Sequence, residues 1–444
     1  MGGSMLSRFV MVVGLGLLAA PVFAWDLPAP ITNDDYAPVD PAEAALGRDL
    51  FYDPILSGNR NIACASCHHP RFATSDGLSL GLGEGAVGLG PQRHITDTNI
   101  PEQRVPRNSP ALFNLGAHAF TRLFDDGRIE ADPTRPSGLR TPMEDEMVSG
   151  FASVLSAQTM FPVLSPDEMA GHYSENEISK AVRSGRITGP GGAWDKIAAR
   201  VAGVPDYATR FGLVYPEIAA GRALDFTDIS NAIAAFVAYE WRSDQSPFDA
   251  ALRHETSLTG QAAVGAQMFY GDLGCARCHS GPFLSDQAFH AMGAPQIGPG
   301  KAERFESHSR DEGRMRVTGR REDRFAFRTP SLRNVLQTGP WGHAGAHDDL
   351  RVFLADHAAR GAALAGYQRA VILPVLPNTK PDWAVMEDPT QVADIAAAAG
   401  KGITLTPPQI EALMAFLATL SDPVALQGRM GIPATVPSGL PVDR

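Results

Sequence analysis

Cys64-Ala65-Ser66-Cys67-His68, repeated as Cys275-Ala276-Arg277-Cys278-His279, decides how this chain is read. C-x-x-C-H is the attachment signature of a c-type haem. Two thiols add across the vinyl groups of the porphyrin, and the adjacent imidazole turns onto the iron as proximal ligand. The chain has 4 cysteines, and the two motifs use all of them. No thiol is left for a disulfide, a zinc cage or a catalytic nucleophile. Two covalently bound haem c groups are therefore expected. The functional question becomes what fills the second face of each iron.

The flanks of the two motifs match. Pro41 to Tyr52 reads as a helix with Ala44, Leu46, Leu50 and Phe51 near one face. Gly260 to Gly271 leads to the second motif in the same way. Gly47-Arg48-Asp49-Leu50-Phe51-Tyr52 corresponds to Gly265-Ala266-Gln267-Met268-Phe269-Tyr270. Each is a helix ending in an aromatic pair, followed by a turn and C-x-x-C-H, which predicts an internal repeat of a cytochrome c-like unit. Further helical patterns lie at 178–182, 194–201 and 229–241, and Thr406 precedes another over 407–420. Strand alternation is almost absent. The expected fold is mainly α: two cytochrome c-like haem domains packed face to face, with few short strands and many loops.

Arg8, the apolar run Phe9 to Ala20 and the small-residue site Val22-Phe23-Ala24 read as an export signal over 1–24, cleaved before Trp25, with Met5 as an alternative start. The run is short for a membrane span, so no stable membrane anchor is expected. Export to the periplasm fits haem attachment outside the cytoplasm. The turn cluster Ser243 to Pro247 divides an N-terminal domain, 25–243, from a C-terminal one, 244–426, and 427–444 is a Pro-rich irregular tail. A net charge of −11 argues against nucleic acid, which selects basic surfaces, and suits a basic redox partner.

With these residues in view, LGRDLFYDPILSGNRNIACASCHHP, PRNSPALFNL, QTMFPVLSPDEM, FRTPSLRNVLQTGPWGHAG and LTPPQIEALMAFLATL resemble the bacterial di-haem cytochrome c peroxidases. That family includes the MauG-like enzymes, which oxidise tryptophans of a partner protein. The resemblance covers most of 41–421, with 83–104 and 129–150 standing out as insertions. It implies that Gln158 and Glu168 stand over the first haem, where a carboxylate shuttles the peroxide proton and an amide orients the peroxide. Read alone, Ser165-Pro166-Asp167-Glu168 is also a good helix start.

The resemblance places a distal histidine of the family's resting peroxidases at Leu82, which cannot ligate iron, so the first haem is expected to be open; His94, from the inserted loop, is the rival ligand. It places the distal ligand of the second haem at His357, with His347 and Tyr367 as rivals. It places an inter-haem Trp at Asp125, within Phe124-Asp125-Asp126-Gly127-Arg128, which weakens the expected coupling. It further implies one Ca²⁺ held by Asn108 and the carbonyls of Thr338 and Pro340, although Asn108 also suits a plain turn before Pro110. The expected function is reduction of hydrogen peroxide to water, with electrons from a small cytochrome c or cupredoxin. The alternatives are oxidation of a partner protein's residues and a non-enzymatic electron carrier. The oligomeric state is left between monomer and homodimer.

Overall fold

The computed structural model describes residues 27–301, 306–377 and 381–444. The export signal lies outside the described residues. The first haem unit is built on the crossing of two helices. Pro41–Tyr52 starts with a proline at its first position, and the Asp40 carboxylate accepts from the Ala42 N–H at 2.9 Å. Phe226–Glu240 is capped in the same manner by Asp225. Between them pack Leu46, Leu50, Phe51 and Phe236, all at most 2% exposed. A Cβ on Gly47 would collide with the carbonyl of Ala232, so this glycine sets how closely the helices approach.

The second unit repeats this construction. Gly260–Tyr270 crosses Pro407–Ala418, which Thr406 and Gln409 open with a capping box. A Cβ on Gly265 would collide with the Ala412 carbonyl. Gly47 and Gly265 are the equivalent positions expected from the sequence repeat. In both units a single 3₁₀ turn, Cys64–Ser66 or Cys275–Arg277, then carries the motif.

A third repeated piece has a shared backbone conformation that only the structure shows. Ser109-Pro110-Ala111-Leu112-Phe113-Asn114 matches Thr329-Pro330-Ser331-Leu332-Arg333-Asn334. Both asparagines adopt a left-handed backbone with φ of 61°. The Asn114 N–H donates to the Trp241 carbonyl at 3.0 Å, and its Oδ1 accepts from the Ser243 N–H at 2.6 Å. The Asn334 N–H donates to Leu420 at 3.1 Å, and its Oδ1 accepts from Asp422 at 2.7 Å. Each asparagine thus ties the loop behind a haem motif to the end of its unit's long helix.

The architecture is mainly α with many loops. The described strands are two or three residues long and form three small antiparallel sheets. The inserted stretches contribute two of these: Ala86–Val87 with His94–Ile95, and Ile129–Ala131 between Arg122–Leu123 and Leu139–Arg140. Helices Pro205–Val214 and Pro389–Ala399 are not among the segments that apolar periodicity marks. Proline at their first turn starts both. The tail is irregular but ordered by contacts. The Glu240 carboxylate accepts from the N–H groups of Arg429, Met430 and Gly431, and the Ser438 hydroxyl donates to Asp53. Among the described residues no helix is long and apolar enough to cross a membrane.

Buried arginines hold the two units together. Arg107 makes a two-pronged bond to Asp311, at 2.7 and 2.9 Å, and stands 2.8 Å from Asp126. Arg314 grips Glu130 at 3.0 and 3.1 Å and donates to the carbonyls of Asp126 and Gly127. Planar guanidinium groups suit such forked contacts.

The helix crossings yield the first test. Gly265→Ala overpacks the second crossing and is expected to cost about 1–3 kcal/mol. Thermal melting of the holoprotein reads this as a lowered midpoint; an unchanged midpoint contradicts the close-approach account.

Candidate functional site

The proximal sides of both motifs are alike. His68 Nδ1 lies 2.9 Å from the Thr74 carbonyl, and His279 Nδ1 lies 3.1 Å from that of Leu284. A carbonyl only accepts, so each Nδ1 carries the proton and each Nε2 keeps its lone pair for a metal. The carbonyls of Pro110 and Pro330 add to the polar surroundings of His68 and His279 respectively. No disulfide joins the four cysteines. Burial pushes Cys64 and Cys67 up to about 12 and Cys275 up to about 11. These side chains are enclosed by protein yet keep some accessible surface, so they line crevices rather than fill a core. Paired neutral thiols beside an imidazole with a free Nε2 fit a covalently attached haem at each motif.

The second motif faces another histidine. The ring centres of His279 and His357 are 6.2 Å apart. Two imidazoles bound to one metal at about 2 Å each hold their centres about 6 Å apart. His357 comes from the helix Leu350–Ala359, which the Asp349 carboxylate caps. Burial, and then the neighbouring His279, push His357 down to about 3, so the ring is neutral and able to ligate. The two rivals are engaged elsewhere: His347 Nε2 bonds Asp356 at 2.9 Å, and the Tyr367 hydroxyl donates to the Ala346 carbonyl.

The first motif has different company. Glu168 sits on the wide helical turn Pro166–Ala170, close enough to Cys67 for its charge to act on that thiol. Glu168 keeps some accessible surface, yet protein surrounds its carboxyl. Burial raises it above the ordinary carboxylate range, against the pull of Lys301 and Arg128. Gln158 is half-buried near the end of the helix Val154–Thr159, from which the chain returns through Pro162–Leu164 to that turn. Leu82 is fully buried, in a small apolar cluster with Ala86 and Leu376. His94 is exposed, and its Nδ1 donates to the Gln92 carbonyl. Its neighbour Arg93 is the buried residue, donating to the carbonyls of Leu82, Gly83 and Gly88.

Two ionisable groups here escape sequence reasoning. Lys301 is lowered by burial and by Arg128, and Asp76 is raised to about 7 by burial. Neither lies in a recognisable motif; chain closure around the first haem motif brings them in.

Between the motifs, Asp125 is raised by burial and opposed by Arg107 and Arg328. Its carbonyl accepts from the Arg328 N–H at 2.7 Å. Nearby, Phe327 stacks on His343 with ring centres 3.8 Å apart, and burial lowers His343 to about 4. Asn108 donates its side-chain N–H to the Leu78 carbonyl at 2.7 Å, which leaves its oxygen for a cation. Thr338 precedes the cis peptide between Gly339 and Pro340.

The repeated fold and its two proximal histidines define a cytochrome with two c-type haem units. The family model of the di-haem cytochrome c peroxidases matches residues 41–257. The chain is 29% identical over 349 residues to the methylamine utilization protein MauG of Methylorubrum extorquens, covering 78% of this chain and 76% of that protein. It is 32% identical over 312 residues to the cytochrome c peroxidase Ccp of Escherichia coli, covering 69% of this chain and 51% of that longer protein. A crystal structure of a MauG-like protein associated with microbial copper homeostasis shares the fold, with a TM-score of 0.55 at 24% identity, covering 92% of this chain and 97% of that one. The match to the di-haem cytochrome c peroxidase family thus spans residues 41–257, and the chain is an oxidoreductase similar to those enzymes.

His357→Ala tests the second crevice. The variant is expected to lose the low-spin ferric signal of a six-coordinate haem in electron paramagnetic resonance while retaining both haems. A low-spin signal of unchanged intensity excludes His357 as ligand.

Proposed function

We propose that this chain reduces hydrogen peroxide to water, H₂O₂ + 2 e⁻ + 2 H⁺ → 2 H₂O, at the first haem. The second haem, when attached, would pass on electrons from a small cytochrome c or cupredoxin. The observation that carries this reading is the unequal surroundings of the two motifs: His357 lies across from His279, whereas an enclosed Glu168, its pKa raised by burial, lies by Cys67. When attached, the haems supply the iron that binds peroxide and the electrons that reduce it. The chain supplies the proton path. Splitting O–O requires a proton to move from the inner to the outer peroxide oxygen. Glu168 takes it up as a carboxylate and returns it as a carboxylic acid, a task suited to a raised pKa. Gln158 orients the peroxide through its amide. Leu82, in place of a histidine, would supply no ligand to an iron held by His68.

The division into 25–243 and 244–426, with 427–444 as tail, follows the two haem units. We place the mature protein in the periplasm, with the leader removed near Ala24. One Ca²⁺ is assigned to Asn108 with the carbonyls of Thr338 and Pro340, since an amide oxygen and main-chain carbonyls are hard ligands.

A second reading, oxidation of residues on a partner protein, is favoured by Leu82, and Asp125 in place of the inter-haem Trp counts against it. Steady-state turnover of peroxide with reduced cytochrome c separates the two. Sustained oxidation of the donor supports the peroxidase. Negligible turnover with modified partner residues supports the other.

Glu168 must be ionised to accept the proton, and its pKa is raised by burial. The rate of reaction with peroxide is therefore expected to fall on acidification at a higher pH than an ordinary carboxylate would give. Glu168→Gln is expected to lower that rate by roughly 10²–10⁴-fold and to remove the acid limb. Stopped-flow absorbance of the haems over a pH series measures both. A wild-type limb retained in the variant overturns the role.

A further inference from the structure

Behind the turn that carries Glu168 lies a second group of ligand-type side chains, which the peroxide reaction does not use. Glu84 from the inserted loop, His172 and Glu175 bring a carboxylate oxygen, an imidazole nitrogen and a second carboxylate oxygen within 4.8 Å of one another. Acidic clusters are common on surfaces, but Glu84 is not a surface residue: it is 1% exposed. Its two oxygens are in different situations. Oε1 accepts from the amides of Asn59 at 2.7 Å, Asn61 at 2.7 Å and Asn99 at 2.9 Å. Oε2 is buried and has no hydrogen-bond partner, as has His172 Nε2. These two atoms face each other at 3.7 Å, too far for a hydrogen bond. Two ligands about 2 Å from one tetrahedral ion stand about 3.3 Å apart, so small side-chain rotations bring both onto a shared ion.

The charge balance points the same way. The Glu102 carboxylate stands 4.0 Å from His172 Nδ1, giving three acidic side chains around one imidazole. Among the described residues, no lysine or arginine forms an ion pair with Glu84 or Glu175. A buried carboxylate oxygen left without a partner is costly. Three asparagine amides that fix its twin oxygen form the outer layer typical of a metal ligand.

We propose that Glu84, His172 and Glu175 bind a divalent transition-metal ion of the zinc class. Imidazole nitrogen with carboxylate oxygens suits Zn²⁺ above Mn²⁺, and the nitrogen disfavours Ca²⁺ and Mg²⁺. The ion ties the inserted loop to the distal side of the first haem. The Glu84 N–H donates to the Glu168 carbonyl at 3.0 Å, and His172 and Glu175 follow Glu168 on the same strand of chain. The site is separate from the Ca²⁺ position assigned to Asn108, and its test does not depend on peroxidase activity.

The experiment uses the full-length protein with both haems, stripped with chelator and equilibrated with Zn²⁺, followed by elemental analysis and thermal melting. One Zn²⁺ per chain beyond the haem irons is expected, with a raised melting midpoint. His172→Ala and Glu175→Gln are expected to weaken Zn²⁺ binding by roughly 100-fold or more and to abolish the shift, with haem spectra unchanged. Both residues are solvent-accessible, so these variants keep the test valid where Glu84→Gln fails to fold. Absence of Zn²⁺ from the wild type, equal Zn²⁺ in wild type and variants, or displacement of Zn²⁺ by equimolar Ca²⁺ each overturns the proposal.

Discussion

A histidine that gives one ring proton to a backbone carbonyl must present its other nitrogen in a fixed direction, and both haem units depend on that constraint. His68 is held by Thr74, and His279 by Leu284. The loops behind the motifs brace these carbonyls: the Leu112 N–H donates to the Thr74 hydroxyl at 2.8 Å, and the Ser331 hydroxyl donates to the carbonyl of Phe283, next to Leu284, at 2.7 Å. The loops are fastened through Asn114 and Asn334, whose left-handed backbones let one residue reach the end of a long helix with both main chain and side chain. The helices in turn are set by Gly47 and Gly265 at their crossings. Each unit is a short chain of such dependences, made twice.

What differs between the copies lies on the opposite faces. Across from His279 stands a neutral His357; close to Cys67 stands Glu168, with its charge opposed by Lys301 and Arg128. Between the units runs a network of buried ion pairs, in which Arg107 joins Asp311 and Asp126, and Arg314 joins Glu130. Buried pairs of this kind return little net stability, because desolvation offsets attraction, but breaking one strands a charge. Such a network fixes the register of the two units well. Asp125 sits beside Arg107 and Arg328, whose charges oppose the rise that burial causes in its carboxyl.

Much of this was legible in the sequence because it is local. The C-x-x-C-H runs, Thr406 before its helix and the aromatic pairs at Phe51-Tyr52 and Phe269-Tyr270 are each contained within a few residues. His357 needed a family resemblance, since a lone histidine on a helix carries no signal of its own. The S/T-P-x-L-x-N repeat was present in the letters, but nothing in them says that Asn114 and Asn334 take a left-handed turn. Lys301, Asp76 and the trio Glu84, His172 and Glu175 come together only through closure of irregular loops, where no periodicity guides the eye. The Pro-rich tail read as irregular; its docking on Glu240 and Asp53 depends on buried carboxylates far away in the chain.

The central claim is that two like attachment motifs carry unlike irons, one open and one closed. Spin quantification of the resting ferric protein by electron paramagnetic resonance tests it most directly. The account predicts one high-spin and one low-spin iron per chain, in equal amounts. Two low-spin irons would contradict it by showing a sixth protein ligand at the first haem, and two high-spin irons would contradict it by showing no His357 bond at the second.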